Sequence, residues 1–240
     1  MSKRITPAVG WAAALLLAAG FAALGNWQFG RQQEKQAMLD EGAATIAAKS
    51  PLELGIAADP ALARGYDWAA GGGYFAEVPA VLLDNQQRGG RAGVRAYRAF
   101  VPEGGAAPLL VELGWLPLPG DRALPQVVLP AGRQQLAGLL APPPSHGIGP
   151  AGFAAQGDGT LLAVGLDPAA LAAPLRQPGL APRVLKLDPA LSAIGYERDL
   201  DVLPNTLPPE RHFGYAVQWF ALAIAVLATA LVLTFRRSSP

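Results

Sequence analysis

The sequence contains no cysteine. That excludes disulfides, thiolate sites for copper, zinc or iron–sulfur clusters, and any redox role for the chain itself. Histidine is nearly as scarce. His146 and His212 are the only two, so a multi-histidine metal centre is all but excluded. There is no GxxxxGK[ST] phosphate loop and no GxSxG elbow. Serine occurs only at positions 2, 50, 145, 192, 238 and 239. Ser145 and His146 are adjacent, which is poor geometry for a base to activate its own neighbour. They read as a surface loop bracketed by Pro142-Pro143-Pro144 and Pro150. No basic stripe supports binding to nucleic acid. Nothing in the sequence argues for an enzyme.

Charge is missing from two long stretches. Residues 5–24 read ITPAVGWAAALLLAAGFAAL and residues 213–235 read FGYAVQWFALAIAVLATALVLTF, with no Asp, Glu, Lys or Arg in either. Each reaches the roughly 20 residues that span about 30 Å of hydrocarbon at about 1.5 Å per residue. A helix is the form that pairs every backbone group within one segment, so transmembrane helices are expected at 5–25 and 212–235. Lys3 and Arg4 precede the first, Arg236 and Arg237 follow the second, and neither tail has an acid. By the positive-inside rule the tails 1–4 and 236–240 are expected in the cytoplasm, with 26–211 on the far side of the bilayer. Between Trp27 and Glu210 there are 14 basic and 18 acidic residues, a net of −4 (14 − 18). The first span also has features of a secretory signal, including Ala23-Leu24-Gly25 as a small-x-small site, but its apolar run exceeds the usual core of about 7–15 residues. A retained anchor is the expectation.

Beyond the first span few helix breakers occur before Pro51, which predicts a juxtamembrane helix over 27–49, continuing or restarting. Trp27, Arg31 and Lys35 are four apart and share a face, with Glu34 placed to relieve the like charges. Residues 51–73 read as a connection with one short helical turn, and Gly71-Gly72-Gly73 as a turn before Tyr74-Phe75. Strands are predicted at 78–84 (ended by Asn85 to Gly90), 94–101 and 109–115, joined by Gly-rich turns, with further strands at 133–140 and 183–187. A short helix is predicted at 168–175, starting on its proline. Asp199 and Asp201 read as solvated charges in a polar connector. The expected fold is an α+β membrane protein. Two transmembrane helices flank one β-rich extracytoplasmic domain, an antiparallel meander or small barrel with its core at about 73–188.

The start of the second span carries the one notable cluster. On a helix His212, Tyr215 and Trp219 share a face, with Gln218 nearby. His212 lies 24 residues before Arg236, about 36 Å along a helix, and so at the headgroup layer or just inside it. A neutral imidazole there can ligate a haem iron, with Arg211 for propionates and aromatic rings lining the macrocycle. The same residues also suit an interfacial His-Tyr-Trp belt that only sets helix depth.

Three segments, in order and with two end helices, resemble the Surfeit-locus family of cytochrome c oxidase assembly factors over nearly the full length. The first is Leu24-Gly25-Asn26-Trp27-Gln28 with Arg31 and Lys35; the second runs from Gly73-Tyr74-Phe75 through Leu83-Asp84-Asn85 to Gly114-Trp115-Leu116-Pro117. The third is His212 with Tyr215-Ala216 and Gln218-Trp219-Phe220. Two departures stand out: Glu112-Leu113 precedes Gly-Trp where many members have Asn-Arg, and Phe213 follows the histidine where leucine is common.

The resemblance implies an assembly role without substrate turnover, in the inner membrane of a bacterium, with the central domain periplasmic. Family members assist maturation of subunit I of haem–copper oxidases, and bacterial members are thought to bind haem a through the matching histidine. His212 is thereby implied as the iron ligand, with Arg211, Tyr215 and Trp219 around the haem, and haem a synthase and the lipid bilayer as further partners. Trp27, Gln28, Arg31, Lys35, Gly114 and Trp115 are expected as partner contacts or structural anchors, with packing the expectation for Gly114-Trp115. Two other readings remain open: an oxidase-assembly scaffold that binds no haem, and an unrelated membrane-anchored envelope adaptor.

Overall fold

A computed structural model describes residues 7–144, 151–191, 193–204 and 206–238. The tail at 1–4, residues 239–240 and the Ser145-His146 loop lie outside the described residues. The chain forms two compact units. One comprises the chain up to Leu39 together with the chain from Thr206 onward; the other is Asp40–Asn205.

Two helices, each long and apolar enough to cross a membrane, make the first unit. Helix α1 (Pro7–Ala48) is uninterrupted, so the segment expected to continue or restart near Trp27 continues. Within this unit its residues Trp11, Ala14, Ala18, Phe21, Gly25 and Gln28 recur at alternating intervals of three and four, the spacing that keeps one seam facing a partner helix. The C-terminal helix (Pro209–Ser238) meets that seam in antiparallel sense. Trp11 Nε1 donates to Thr234 Oγ1 at 3.0 Å, and Phe21 stacks on Trp219 with centroids 5.6 Å apart. A Cβ on Gly25 would lie 2.8 Å from Phe220 Cε1, and Ala14, Ala18, Ala216 and Ala223 are buried. Small residues let the backbones approach closely. The outer surfaces are apolar, with Leu16, Ile224, Val232 and Phe235 all exposed. Thr229 and Thr234 return their hydroxyls to the carbonyls of Ala225 and Ala230, 2.8 Å away in each case, which satisfies those donors inside an apolar helix.

The second unit is built on a mixed sheet. Its strands are β1 (Leu52–Glu53), β2 (Asp67–Phe75), β3 (Val81–Arg88), β4 (Arg91–Pro102), β5 (Leu109–Pro117), β6 (Arg133–Ala141), β7 (Phe153–Ala155), β8 (Leu161–Ala163) and β9 (Val184–Leu187). The one-turn helix α2 (Pro168–Leu171) and its following turns carry the buried Leu171 and Leu175, so the predicted helix at 168–175 is shorter than expected. With α2 named, the C-terminal helix is α3. The β3-β4-β5 meander is antiparallel as expected, but β1–β2, β3–β8 and β5–β9 pair in parallel. Pairings β2–β6, β6–β9, β9–β5, β5–β4 and β4–β2 run in a closed circuit.

Strand β2 is the main correction. The expected connection at 51–73 holds β1, two short 3₁₀ turns (Leu54–Ala58 and Pro60–Leu62) and most of β2, and Gly71-Gly72-Gly73 lies inside the strand. These glycines are crowded rather than turned. A Cβ on Gly73 would strike the Val101 carbonyl and the Phe100 ring, and one on Gly71 would meet Leu54 Cδ1 at 3.0 Å. Their smallness lets β2 pair with β6 along its length and with β4 at its end (Gly73↔Pro102 to Phe75↔Phe100). Strand β3 also runs past its expected end, through Asn85 in the left-handed region (φ 57°), to turn at Gly89-Gly90.

Apolar side chains cover both faces of the central strands. Leu82, Leu109, Val111 and Leu113 pack in one cluster, with Phe100, Leu136, Leu140, Leu185 and Leu187. Their neighbours Val81, Leu83 and Leu110 pack in another, with Leu171, Leu175 and Val184. Successive strand residues point to opposite faces, so a strand buried on both reads as a continuous apolar run.

Candidate functional site

Helix α3 begins at Pro209, where a missing N–H costs nothing, and Glu210 supplies an acid in the first turn. His212 follows in that same turn. Across the seam stands Gln28 of α1, and His212 Nδ1 lies 2.7 Å from Gln28 Oε1. Two of the three segments that carried the resemblance, 184 residues apart in sequence, thus meet in one hydrogen bond. The pair is partly buried, and no described residue is hydrogen-bonded to Nε2.

The cations of α1 surround this pair unequally. Arg31 and Lys35 both act electrostatically on His212. Arg31 Nη1 is tied to Glu34 Oε2 at 2.5 Å, as the spacing predicted, while Lys35 is buried. Arg211 is exposed, as are Trp27, Phe213 and Tyr215. The three residues expected on one face, His212, Tyr215 and Trp219, differ in burial. His212 and Trp219 are half-buried toward the α1 seam with fully buried Ala216 between them, and Tyr215 lies at its margin, 40% exposed. Trp219 has one ring face against Phe21. Among the described residues no group of three or more His, Asp or Glu side chains is arranged to hold a metal ion.

Gly114 and Trp115 belong to the β-sheet unit, in β5, where the Trp115 side chain is buried. At Ala96/Tyr97 the β4–β5 register slips so that Ala96 faces Gly114 and Tyr97 faces Glu112, leaving Leu113 as the extra residue of a bulge. Gly114 adopts φ +126°, and Trp115 N–H donates to the Glu197 carbonyl at 2.8 Å. Trp115 Nε1 donates to the Gln86 carbonyl at 3.2 Å, and the Arg91 guanidinium lies over the ring at 5.1 Å.

Sequence reasoning missed the ionic cluster behind that bulge. Glu112 is buried, pairs with buried Arg95, and accepts a hydrogen bond from Tyr97 Oη at 3.0 Å. Asp199, expected to be solvated, instead pairs with Arg88 and lies 3.7 Å from Arg95. Burial acts to raise the Asp199 pKa, but the Asp201 backbone N–H and the charges of Arg95, Lys186 and Arg88 hold it below the usual carboxylate range. Burial, followed by the Glu112 charge, pushes the Tyr97 phenol well above its ordinary value. The signal in the sequence was Glu112 itself, a carboxylate inside an apolar run. For Gln28 the signal was the three-and-four spacing on both apolar helices, which aligns it with His212.

The sequence model of the SURF1 family matches residues 15–224. No curated protein matches the chain. The matched span takes in most of α1, the sheet, the first part of α3 and the Gln28–His212 pair.

Proposed function

The chain belongs to the SURF1 family, which acts in cytochrome c oxidase assembly, and on that premise we propose that it handles haem a for subunit I of a haem–copper oxidase. Members of the family are assembly factors and not known enzymes. In this reading the two apolar helices cross a bacterial inner membrane with both termini cytoplasmic and the sheet periplasmic. Their exposed Leu, Ile, Val and Phe side chains face lipid tails, which removes the cost of leaving such surfaces in water.

One observation carries the proposal: His212 has one ring nitrogen hydrogen-bonded to Gln28 and the other without a partner among the described residues, on a half-buried side chain at the end of the helix pair. That donor set fits a haem. An imidazole nitrogen with a lone pair is an axial ligand, the exposed Arg211 guanidinium suits a propionate, and Tyr215 and Phe213 offer exposed ring surface. Bound there, the haem supplies no chemistry of its own to the protein; it is cargo for the oxidase. His212 holds it, and the apolar helices keep it at the membrane edge, where haem a synthase and subunit I are the proposed donor and recipient.

Trp219 gives the second reading its support. Its stacking on Phe21 commits an aromatic face to the helix pair rather than to a ligand, as expected of a scaffold that binds no haem. Purification in lipid nanodiscs from a host that makes haem a separates the two. The proposal expects a haem a spectrum in the wild type and its loss in His212→Ala. A correctly folded, colourless wild type favours the scaffold, and unchanged oxidase haem content after deletion favours an envelope adaptor.

A further inference from the structure

Resting on that haem-binding reading, we propose that Gln28 is the positioning residue for His212, fixing the imidazole tautomer and thereby selecting Nε2 as the iron-binding nitrogen. A neutral imidazole carries one N–H and one lone pair. The amide oxygen of Gln28 can only accept, so its 2.7 Å contact with Nδ1 places the proton on Nδ1. Nε2 then keeps its lone pair, and no described residue competes for it. Metal-binding histidines commonly have their second nitrogen oriented in this way by an acceptor, and loss of that acceptor typically costs about 10–100-fold in affinity.

The helix seam holds Gln28 to the task. Gly25, one turn earlier, admits Phe220, and Phe21, two turns earlier, stacks on Trp219, so the Gln28 backbone is held opposite the first turn of α3. A neutral amide acceptor also differs from a carboxylate. It orients the ring without drawing the Nδ1 proton away, which leaves a neutral imidazole as the ligand and favours release of cargo over permanent retention.

The test begins without haem. Full-length protein carrying ¹⁵N-labelled histidine is placed in nanodiscs, and His146→Gln leaves His212 as the only labelled ring, since the chain has two histidines. The proposal expects a protonated Nδ1 and an unprotonated Nε2, with this preference lost in Gln28→Leu and restored in Gln28→Glu. A protonated Nε2 in the wild type, or the same tautomer in Gln28→Leu, overturns it. In protein loaded with haem a, Gln28→Leu is expected to lose about 10–100-fold in affinity, and Gln28→Glu to retain haem at a lower midpoint potential. Wild-type loading through His212 with no effect of either Gln28 substitution overturns the positioning role alone. Absence of haem from the wild type, with the tautomer as stated, overturns the haem reading instead.

Discussion

Arg95 and Glu112 form an ion pair inside the β-sheet unit, their side chains 6% and 2% exposed, with Tyr97 donating to the second carboxylate oxygen. Glu112 is thus an acid in an apolar strand, matched by a cation on the neighbouring strand β4. Removing Arg95 leaves the buried Glu112 carboxylate without its cation, and removing Glu112 leaves buried Arg95 with Asp199 alone, at 3.7 Å. Arg95→Met or Glu112→Leu alone is expected to cost about 3–5 kcal/mol, while the double substitution recovers much of the loss. Urea titration followed by tryptophan fluorescence measures all three; equal losses in single and double variants would contradict the pairing.

Gly114 sets a second expectation. At φ +126°, a Cβ there would lie 2.8 Å from the Glu197 carbonyl oxygen and 2.9 Å from the Tyr196 carbonyl. Both are backbone atoms, so nothing can rotate away. Gly114→Ala should cost about 2–4 kcal/mol through strain and loss of the Trp115–Glu197 hydrogen bond. Gly89→Ala, with φ +56° but open space around it, should cost only about 1 kcal/mol. Thermal midpoints of the two variants rank them directly.

The helix seam can be tested on a background free of cysteine. Trp11→Cys with Thr234→Cys replaces a hydrogen-bonded pair by two thiols within reach of a short bis-maleimide. Efficient intramolecular crosslinking is expected. Adding Gly25→Leu, which drives a side chain into Phe220, should lower the yield several-fold and perturb the Phe21–Trp219 stack.

Alkaline pH offers a further check. Burial, and then the charge of Glu41, raises the Tyr66 pKa to about 12 from an ordinary value of 10.0. A group whose pKa is raised on folding stabilises fully below its unfolded value, and that stability is lost as pH climbs through the folded one. Unfolding free energy should therefore fall between pH 10.0 and about 12. Tyr66→Phe, which cannot ionise, should flatten part of that slope in denaturant titrations across the range.

Local patterns gave much of this away. The run predicted at 78–84 is strand from Val81 onward, those at 94–101 and 109–115 are strands, and the described residues of both charge-free segments are helical. Strand β2 escaped because a Gly-Gly-Gly run has no side-chain alternation to read, and its crowding against Val101 and Phe100 exists only once β4 is in place. Asp199 escaped because an acid in a connector looks solvated until Arg88 and Arg95 arrive from strands more than 100 residues earlier.

The sequence by itself determined the two apolar helices, most of the strands and the family, because hydrophobic runs and turn residues act over a few neighbours. Only the tertiary structure decided that Gln28 meets His212, that β2 closes the circuit of strands, and that Glu112 is matched by Arg95. Those choices depend on which helix face and which strand edge find each other across long separations in the chain. Backbone approach at glycines and the pairing of buried charges fix them, and neither is written into any one segment.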